Sequence, residues 1–422
     1  MDFKSIIKEQ REELERIERQ ERIIERDRLQ EAGKYLRHPN ILAVIGIRRC
    51  GKSIFSYLLA KNSRMGYVNF DDERFAGLKA EELDKILESF YELYGDIEYV
   101  ILDEIQNIPK WELFASRLRR TKKVILTGSN SEFLSGDLAK HLTGRYIDVH
   151  IFPFSFREFL RLRGFAESPA YTTKEKADIM RFLGEYLETG GFPEAYKFGK
   201  HIISRIYEDI LTKDILLMHK INKLEELKKL AKYLVTNSSE EFTYSKLSKI
   251  LGVKHISTIS RWISYLEDSF LIFKLERFDF KLKQQFIAPK KSYCIDSGII
   301  NTIGFRFSEN KGRIMENEVA VELQRRKYFE GDEIYYWKDH SQNEVDFVIK
   351  NGKHVSQLIQ VSNISNREDM RDRETKSLLK AGTELNCTNL LVITWDYDSE
   401  EKLGGKVVRF IPFWKWLLTP PS

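Results

Sequence analysis

The sequence predicts an α/β chain: a P-loop parallel sheet with helices on both faces, then a helical lid and winged-helix region, then a further α/β domain. Three observations carry that prediction. Short apolar runs, Ile41-Leu42-Ala43-Val44-Ile45, Tyr99-Val100-Ile101-Leu102 and Lys123-Val124-Ile125-Leu126, alternate with stretches of helical spacing, the pattern of buried parallel strands and crossover helices. The first run feeds into Gly46-Ile47-Arg48-Arg49-Cys50-Gly51-Lys52-Ser53, which fits G-x-x-x-x-G-K-[ST]. The second ends on two acids, Asp103 and Glu104.

Each piece of that core has a chemical reason. Glycines let the backbone N–H groups wrap a β-phosphate, Lys52 places a point charge between β- and γ-phosphates, and the Ser53 hydroxyl suits Mg2+. The apolar spacing of Ile54, Phe55, Leu58 and Leu59 continues the loop as a helix whose positive end faces the phosphates. ATP and Mg2+ are therefore the expected ligands, cradled by residues 46–54. Asp103 is placed to hold Mg2+ and Glu104 to polarise the attacking water. The strand after them ends in Thr127-Gly128-Ser129-Asn130, where Ser129 and Asn130 are candidate sensors of the γ-phosphate or ordinary turn residues. Met65-Gly66-Tyr67-Val68-Asn69-Phe70 and Ile147-Asp148-Val149-His150-Ile151 supply further strands. Arg145, in Thr143-Gly144-Arg145, is the candidate transition-state arginine, in cis or from a neighbouring subunit, with a solvated post-turn arginine as the alternative.

With 422 residues, the chain has room for two or three domains. An apolar share of 42% and a charged share of 32%, with no run long enough to span a bilayer, predict a globular chain without a membrane segment. Met1-Asp2-Phe3-Lys4 has no apolar signal core, and Cys50, Cys294 and Cys387 lack the spacing of a zinc site or a disulfide framework, so the cytoplasm is the expected compartment. A net charge of +5 does not by itself demand nucleic acid. The expected organisation is a charged amphipathic helix in 1–36, with helical spacing over 4–28, an ATPase core in 37–165, a lid and winged helix in 170–290, and a last domain in 291–422. Gly164-Phe165-Ala166-Glu167-Ser168-Pro169 ends the core, and Gly190-Gly191-Phe192-Pro193-Glu194 stops one helix and starts another.

From 242 to 280 the pattern becomes helix, Gly-containing turn, helix, with residues 270–275 and 277–283 expected as two wing strands. Lys254, Arg261, Lys281 and Lys283 are the cations placed to meet DNA, unless the module serves only as a lid. In the last block Glu316 and Glu322 lie on a helical stretch, followed by Glu344-Val345-Asp346 and by Leu358-Ile359-Gln360-Val361-Ser362. Helical glutamate plus two acidic strands is the plan of PD-(D/E)xK nucleases, in which Asp and Glu hold Mg2+ and a lysine activates water. Here Gln360 and Ser362 stand where the second acid and the lysine belong, so the restriction-endonuclease-like fold is expected and cleavage is not; Lys376 or Lys380 would be the places to seek a recruited lysine.

On these residues the chain resembles the archaeal and bacterial AAA+-like ATPases of the MNS clade of the STAND superfamily, which join a P-loop ATPase to a winged helix and an endonuclease-like domain. The loop at 46–53, Leu126-Thr127-Gly128-Ser129, Gly144-Arg145, Gly190-Gly191-Phe192-Pro193-Glu194 and Glu344-Val345-Asp346-Phe347 carry the resemblance. It implies ATP and Mg2+ at Lys52, Ser53, Asp103 and Glu104, an arginine role at Arg145 and a lid at Gly191-Phe192-Pro193 that reports on nucleotide; DNA, and a second copy of the chain that supplies the arginine in trans, are the expected partners. Two functions are compatible with it: an ATPase whose hydrolysis changes assembly or position on DNA, and a slow-hydrolysing nucleotide-dependent regulator.

Overall fold

The structure is a computed structural model and describes residues 2–131, 142, 144–166, 168, 170–221, 223–304, 311–369 and 372–420. Thr143, Glu167 and Pro169, each part of a sequence expectation above, lie outside the described residues. Two compact units emerge: one holds residues 1–154 with 161–165 and 268–270, the other 155–160, 166–267 and 271–422.

The first unit is built on a five-stranded sheet. Its strands are β1 (Ile41–Ile45), β2 (Met65–Asn69), β3 (Tyr99–Asp103), β4 (Lys123–Gly128) and β5 (Tyr146–His150). All pair in parallel, in the order β2-β3-β4-β1-β5, so β4 lies between the strand that feeds the glycine loop and the strand that ends in acids. Parallel strands expose their carboxyl ends at one edge, and in open α/β sheets ligands bind there. β1 is buried throughout, as its unbroken apolar run requires.

The N-terminal helix is shorter than its spacing suggests: it runs Phe3–Gln20, and residues 21–26 are not helical. Its face Ile6, Ile7 and Leu14 is buried, with Ile6 and Ile7 in the core that also contains Leu83, Ile86 and Phe90. Gln10 accepts a hydrogen bond from the Asn69 N–H at 2.9 Å and donates to the Asn69 carbonyl at 3.0 Å, occupying the edge of β2. Beyond Gln20 tertiary bonds override helical periodicity, because Arg26 is drawn into the phosphate loop.

The second unit contains the helix Thr173–Thr189, the helix pair Tyr244–Leu251 and Ile256–Asp268, a small sheet of β6 (Glu241–Phe242), β7 (Ile272–Glu276) and β8 (Lys290–Cys294), and the long helix Lys311–Glu330. Gly252, in the left-handed conformation at φ +65°, ends the first helix of the pair. The second wing strand expected at 277–283 is not there. Asp279 accepts the Lys281 N–H at 2.9 Å, turning the chain into the short helix Leu282–Ile287, and β8 instead pairs antiparallel with β7. A six-stranded mixed sheet completes the unit, from β9 (Glu333–Lys338), β10 (Glu344–Asn351), β11 (His354–Ser362), β12 (Leu390–Thr394), β13 (Ser399–Leu403) and β14 (Lys406–Pro412), in the order β13-β14-β12-β11-β10-β9. The last helix of the unit is Phe413–Leu418. Among the described residues no helix is long and apolar enough to cross a membrane.

Candidate nucleotide site

The glycine loop leaves β1 at the carboxyl edge and makes two turns that only glycine tolerates. A Cβ on Gly46 would lie 2.0 Å from the Ile151 carbonyl, and Gly51 takes φ +98° immediately before the helix Lys52–Ala60. No side chain caps that helix, so its first-turn N–H groups are oriented for an anion, as a phosphate-binding helix start requires. Lys52 is buried, donates to the Ile47 carbonyl at 3.2 Å and pairs with Glu104 at 3.4 Å.

The acidic pair comes from the end of β3. Asp103 is fully buried and its oxygens accept hydrogen bonds from the hydroxyls of Tyr67, at 2.7 Å, and of Thr127. Burial, with the neighbouring Glu104 charge, pushes the Asp103 carboxyl above the usual carboxylate range despite bonds from Thr127, Tyr67 and Ser53. Glu104 has a left-handed backbone, φ 52°, fixed by its N–H donating to Thr127 Oγ1 at 2.9 Å. Its carboxylate accepts from Gln106 and, at 3.1 Å, from Ser129 Oγ. Burial opposes ionisation of Glu104, but Lys52 and Arg48 outweigh it and hold the carboxyl below its ordinary value. The Ser53 hydroxyl and the Asp103 carboxylate that it bonds are hard oxygen donors, the pair that would hold Mg2+ here.

Thus Lys52, Ser53, Asp103, Glu104 and Ser129 are brought together, with buried Asn130 next in the chain. Arg145 is not. It precedes β5, its carbonyl accepts the Ile41 N–H at 3.0 Å, and β5 runs parallel to β1, so it sits at the amino edge of the sheet. Roughly 16 Å of strand separates that edge from the phosphate loop, which rules out the cis role expected for Arg145.

Three contributors were not legible in the motifs. Tyr67 and Thr127 hold Asp103 from the strands on either side of β3. Arg26, from the segment read as a charged amphipathic helix, is buried beneath the loop and donates to the carbonyls of Cys50, at 2.9 Å, and Phe152, at 2.5 Å, with its guanidinium 5.0 Å from the Phe154 ring centre. The apolar pair Ile23 and Ile24, of which Ile24 is buried, was the one available signal. Cys50 donates its thiol to the Ile151 carbonyl at 3.2 Å, and burial pushes its pKa up, so it is a packing residue rather than a nucleophile. Replacing Arg26 with alanine is expected to destabilise the first unit by about 1–3 kcal/mol, because two buried carbonyls lose their donor, and to weaken ATP binding with it. Urea unfolding and nucleotide titration check this; a variant with wild-type stability and affinity would leave Arg26 without a role in the loop.

The other expected site residues all lie in the second unit. Lys254, Arg261, Lys281 and Lys283 are exposed, the last two beside Phe280, Leu282, Phe286 and Ile287, which are also exposed. Glu316 and Asp346 converge, and Gln360 donates to Asp346 at 2.7 Å. Glu322 turns away to Arg325 and Arg326, and Lys380 pairs with Asp339 at 2.6 Å.

Comparison with known proteins agrees with the geometry of the first unit. Residues 38–160 match a family model described as an AAA domain, and residues 180–310 and 311–416 match two models described as domains of unknown function, DUF8612 and DUF4143. An uncharacterized protein of Methanocaldococcus jannaschii, MJ1544, is 34% identical over 403 residues, covering 90% of this chain and 89% of its own. An uncharacterized protein of Haemophilus influenzae is 25% identical over 393 residues, 89% of this chain and 94% of its own. Among solved structures, the Walker-type ATPase PABY2304 of Pyrococcus abyssi aligns with TM-score 0.44 and 16% identity over 67% of this chain and 96% of its own. The Orc1 protein of Aeropyrum pernix, solved in complex with DNA, aligns with TM-score 0.30 and 12% identity over 72% and 95%.

Proposed function

We propose, from the premise that the chain belongs to one family with the Methanocaldococcus jannaschii protein MJ1544, that it is a cytoplasmic, Mg2+-dependent ATPase whose nucleotide state governs its assembly or its engagement of DNA. The observation that carries this reading is the meeting of Lys52, Asp103, Glu104 and Ser129 at one sheet edge, beside an uncapped helix start. Bound Mg2+ and ATP supply the electrophilic phosphorus and a counter-charge. Lys52 binds the phosphate oxygens, Ser53 and Asp103 hold the cation, and Glu104 orients water and takes its proton at a carboxylate oxygen. Arg145, exposed at the opposite edge, is either an arginine offered to a neighbouring copy or a solvated residue after the turn.

The ATPase core is assigned to 37–165, the lid and winged helix to 170–290, and a non-cleaving endonuclease-like binding platform to 291–422. In the second domain Lys254, Arg261, Lys281 and Lys283 are the phosphate contacts. Duplex affinity should fall steeply with salt, and the quadruple alanine variant should flatten the slope of log K against log salt by roughly 3–4, about 0.9 per lost phosphate contact. Fluorescence anisotropy across a salt series reads it; an unchanged slope assigns the module to the lid alone.

One observation favours the slower regulator. Glu104 is held by Lys52, Gln106 and Ser129, so the base must be released from them before it can serve water. Phosphate release by wild type and Lys52→Ala, with and without single- and double-stranded DNA, distinguishes the two. Turnover stimulated by DNA supports the first reading, a low rate indifferent to DNA the regulator, and turnover surviving Lys52→Ala refutes both.

A further inference from the structure

The carboxylates of the last domain do not stand around an open space. β8 is buried along its whole length, yet it carries two lysines, and the side chain of Lys291 is 3% exposed. A buried ammonium is tolerated only when it is well paired. Lys291 Nζ lies 2.6 Å from Glu344 Oε1, 2.9 Å from Glu316 Oε1 and 3.4 Å from Asp346 Oδ1, and 5.7 Å from the centre of the Tyr336 ring. These acids come from two elements that the fold must bring together: Glu316 from the helix Lys311–Glu330, Glu344 and Asp346 from one face of β10.

Each acid is then fixed by a second donor. The Tyr293 hydroxyl donates to Glu316 at 2.9 Å, Lys338 pairs with Glu344 at 3.2 Å and with Glu241 at 2.8 Å, and Asp346 Oδ2 accepts the Val361 N–H at 2.9 Å and the Gln360 amide at 2.7 Å. Gln360 is 8% exposed, and its Oε1 accepts no hydrogen bond. Three carboxylates and a spare amide oxygen are the donor chemistry of a hard divalent cation, which takes six or more oxygens at about 2.0–2.6 Å. Mg2+ nevertheless does not fit these side chains as they stand. Among the described residues no group of three or more His, Cys, Asp or Glu is arranged to hold a metal, because the acids point at an ammonium instead of a common cation position.

We propose that Lys291 is a built-in counter-ion that occupies the carboxylate centre of the last domain in place of a divalent cation. The centre is a metal site closed by a lysine from a preceding strand, and the domain that carries it serves for binding. The ammonium missing at Ser362 is thus present, but in a place that blocks the cation instead of activating water beside it. This inference does not depend on the nucleotide site.

The test uses the full chain without nucleotide and Mn2+ as the probe, with bound metal counted by electron paramagnetic resonance. Wild type and Lys291→Arg should bind no Mn2+ that Asp346→Asn removes. Lys291→Met should gain one site, at least about tenfold tighter than any in wild type, and Lys291→Met/Asp346→Asn should lose it. If metal-free Lys291→Met is unfolded by circular dichroism, recovery of the wild-type spectrum on adding Mn2+ is the same result. Wild type binding Mn2+ through Asp346 would overturn the proposal, as would a Lys291→Met variant that neither binds Mn2+ nor is refolded by it.

Discussion

Glu104→Gln is expected to bind ATP at least as well as wild type and to hydrolyse it about 10²–10⁴-fold more slowly, the contribution of a positioned general base. Lys52→Ala is expected to lose both binding and turnover. The difference follows from what each group touches. Lys52 leads the helix into which the glycine loop runs, and its charge meets phosphate in the ground state. Glu104 sits at the end of β3 with its backbone pinned by Thr127, and glutamine keeps its shape and its bonds from Gln106 and Ser129 while giving up the charge that takes the proton. Glutamine also releases Lys52 from an ion pair at 3.4 Å, so binding by the variant should not weaken. Calorimetry with a non-hydrolysable analogue, beside phosphate release, separates the two effects. Equal losses of binding in both variants would remove Glu104 from the role of base.

The nucleotide site was readable to the extent that it is contiguous in the chain. Gly46 through Ser53 turn on backbone conformations and on a helix start that the local sequence specifies, and the strands around them are unbroken apolar runs. Tyr67 and Thr127 were not readable as ligands of Asp103, because their roles depend on β2 and β4 flanking β3, and strand order is a long-range property. The cis role of Arg145 fails for a different reason, one the sequence already carried: Arg145 directly precedes the strand read at 147–151, and the start of a parallel strand lies at the amino edge of the sheet. Arg26 and Lys291 are harder still, since a charged residue is read as solvated unless a partner is known, and their partners lie across the fold. The last domain's Glu316 and Asp346 were legible as a pair of acids, whereas the cation between them was sought at Ser362 and on the helix Asp372–Glu384, and it stands on β8.

Glu318→Gln is expected to stabilise the second unit at pH 8 by up to about 3 kcal/mol and to have almost no effect at or below about pH 4. Glu318 is buried on the helix Lys311–Glu330 and accepts a hydrogen bond from the Tyr186 hydroxyl at 2.8 Å. Burial raises its pKa to about 7 from an ordinary 4.5, against the Tyr186 bond and the Arg325 charge, and nearby Asp296, itself raised to about 6 by burial, adds to the crowding of negative charge. A carboxyl whose folded pKa is raised binds its proton more tightly in the fold than in the unfolded chain. Its stabilising share is therefore complete below about 4.5 and is lost as pH climbs through about 7. The gap is worth about 3 kcal/mol at full ionisation. Glutamine keeps the carbonyl oxygen that Tyr186 bonds and has no charge to desolvate, so the variant should lose the part of the wild-type decline that Glu318 contributes. Asp296 retains its own smaller slope in both chains, because it caps the helix Ser297–Ile303 and accepts the Gly191 N–H at 2.6 Å. Urea unfolding of the two chains from about pH 4 to 8 is the measurement. A gain that is the same at every pH would trace the effect to packing, and a loss at pH 8 would mean that ionised Glu318 is better compensated by Arg325 than its burial indicates.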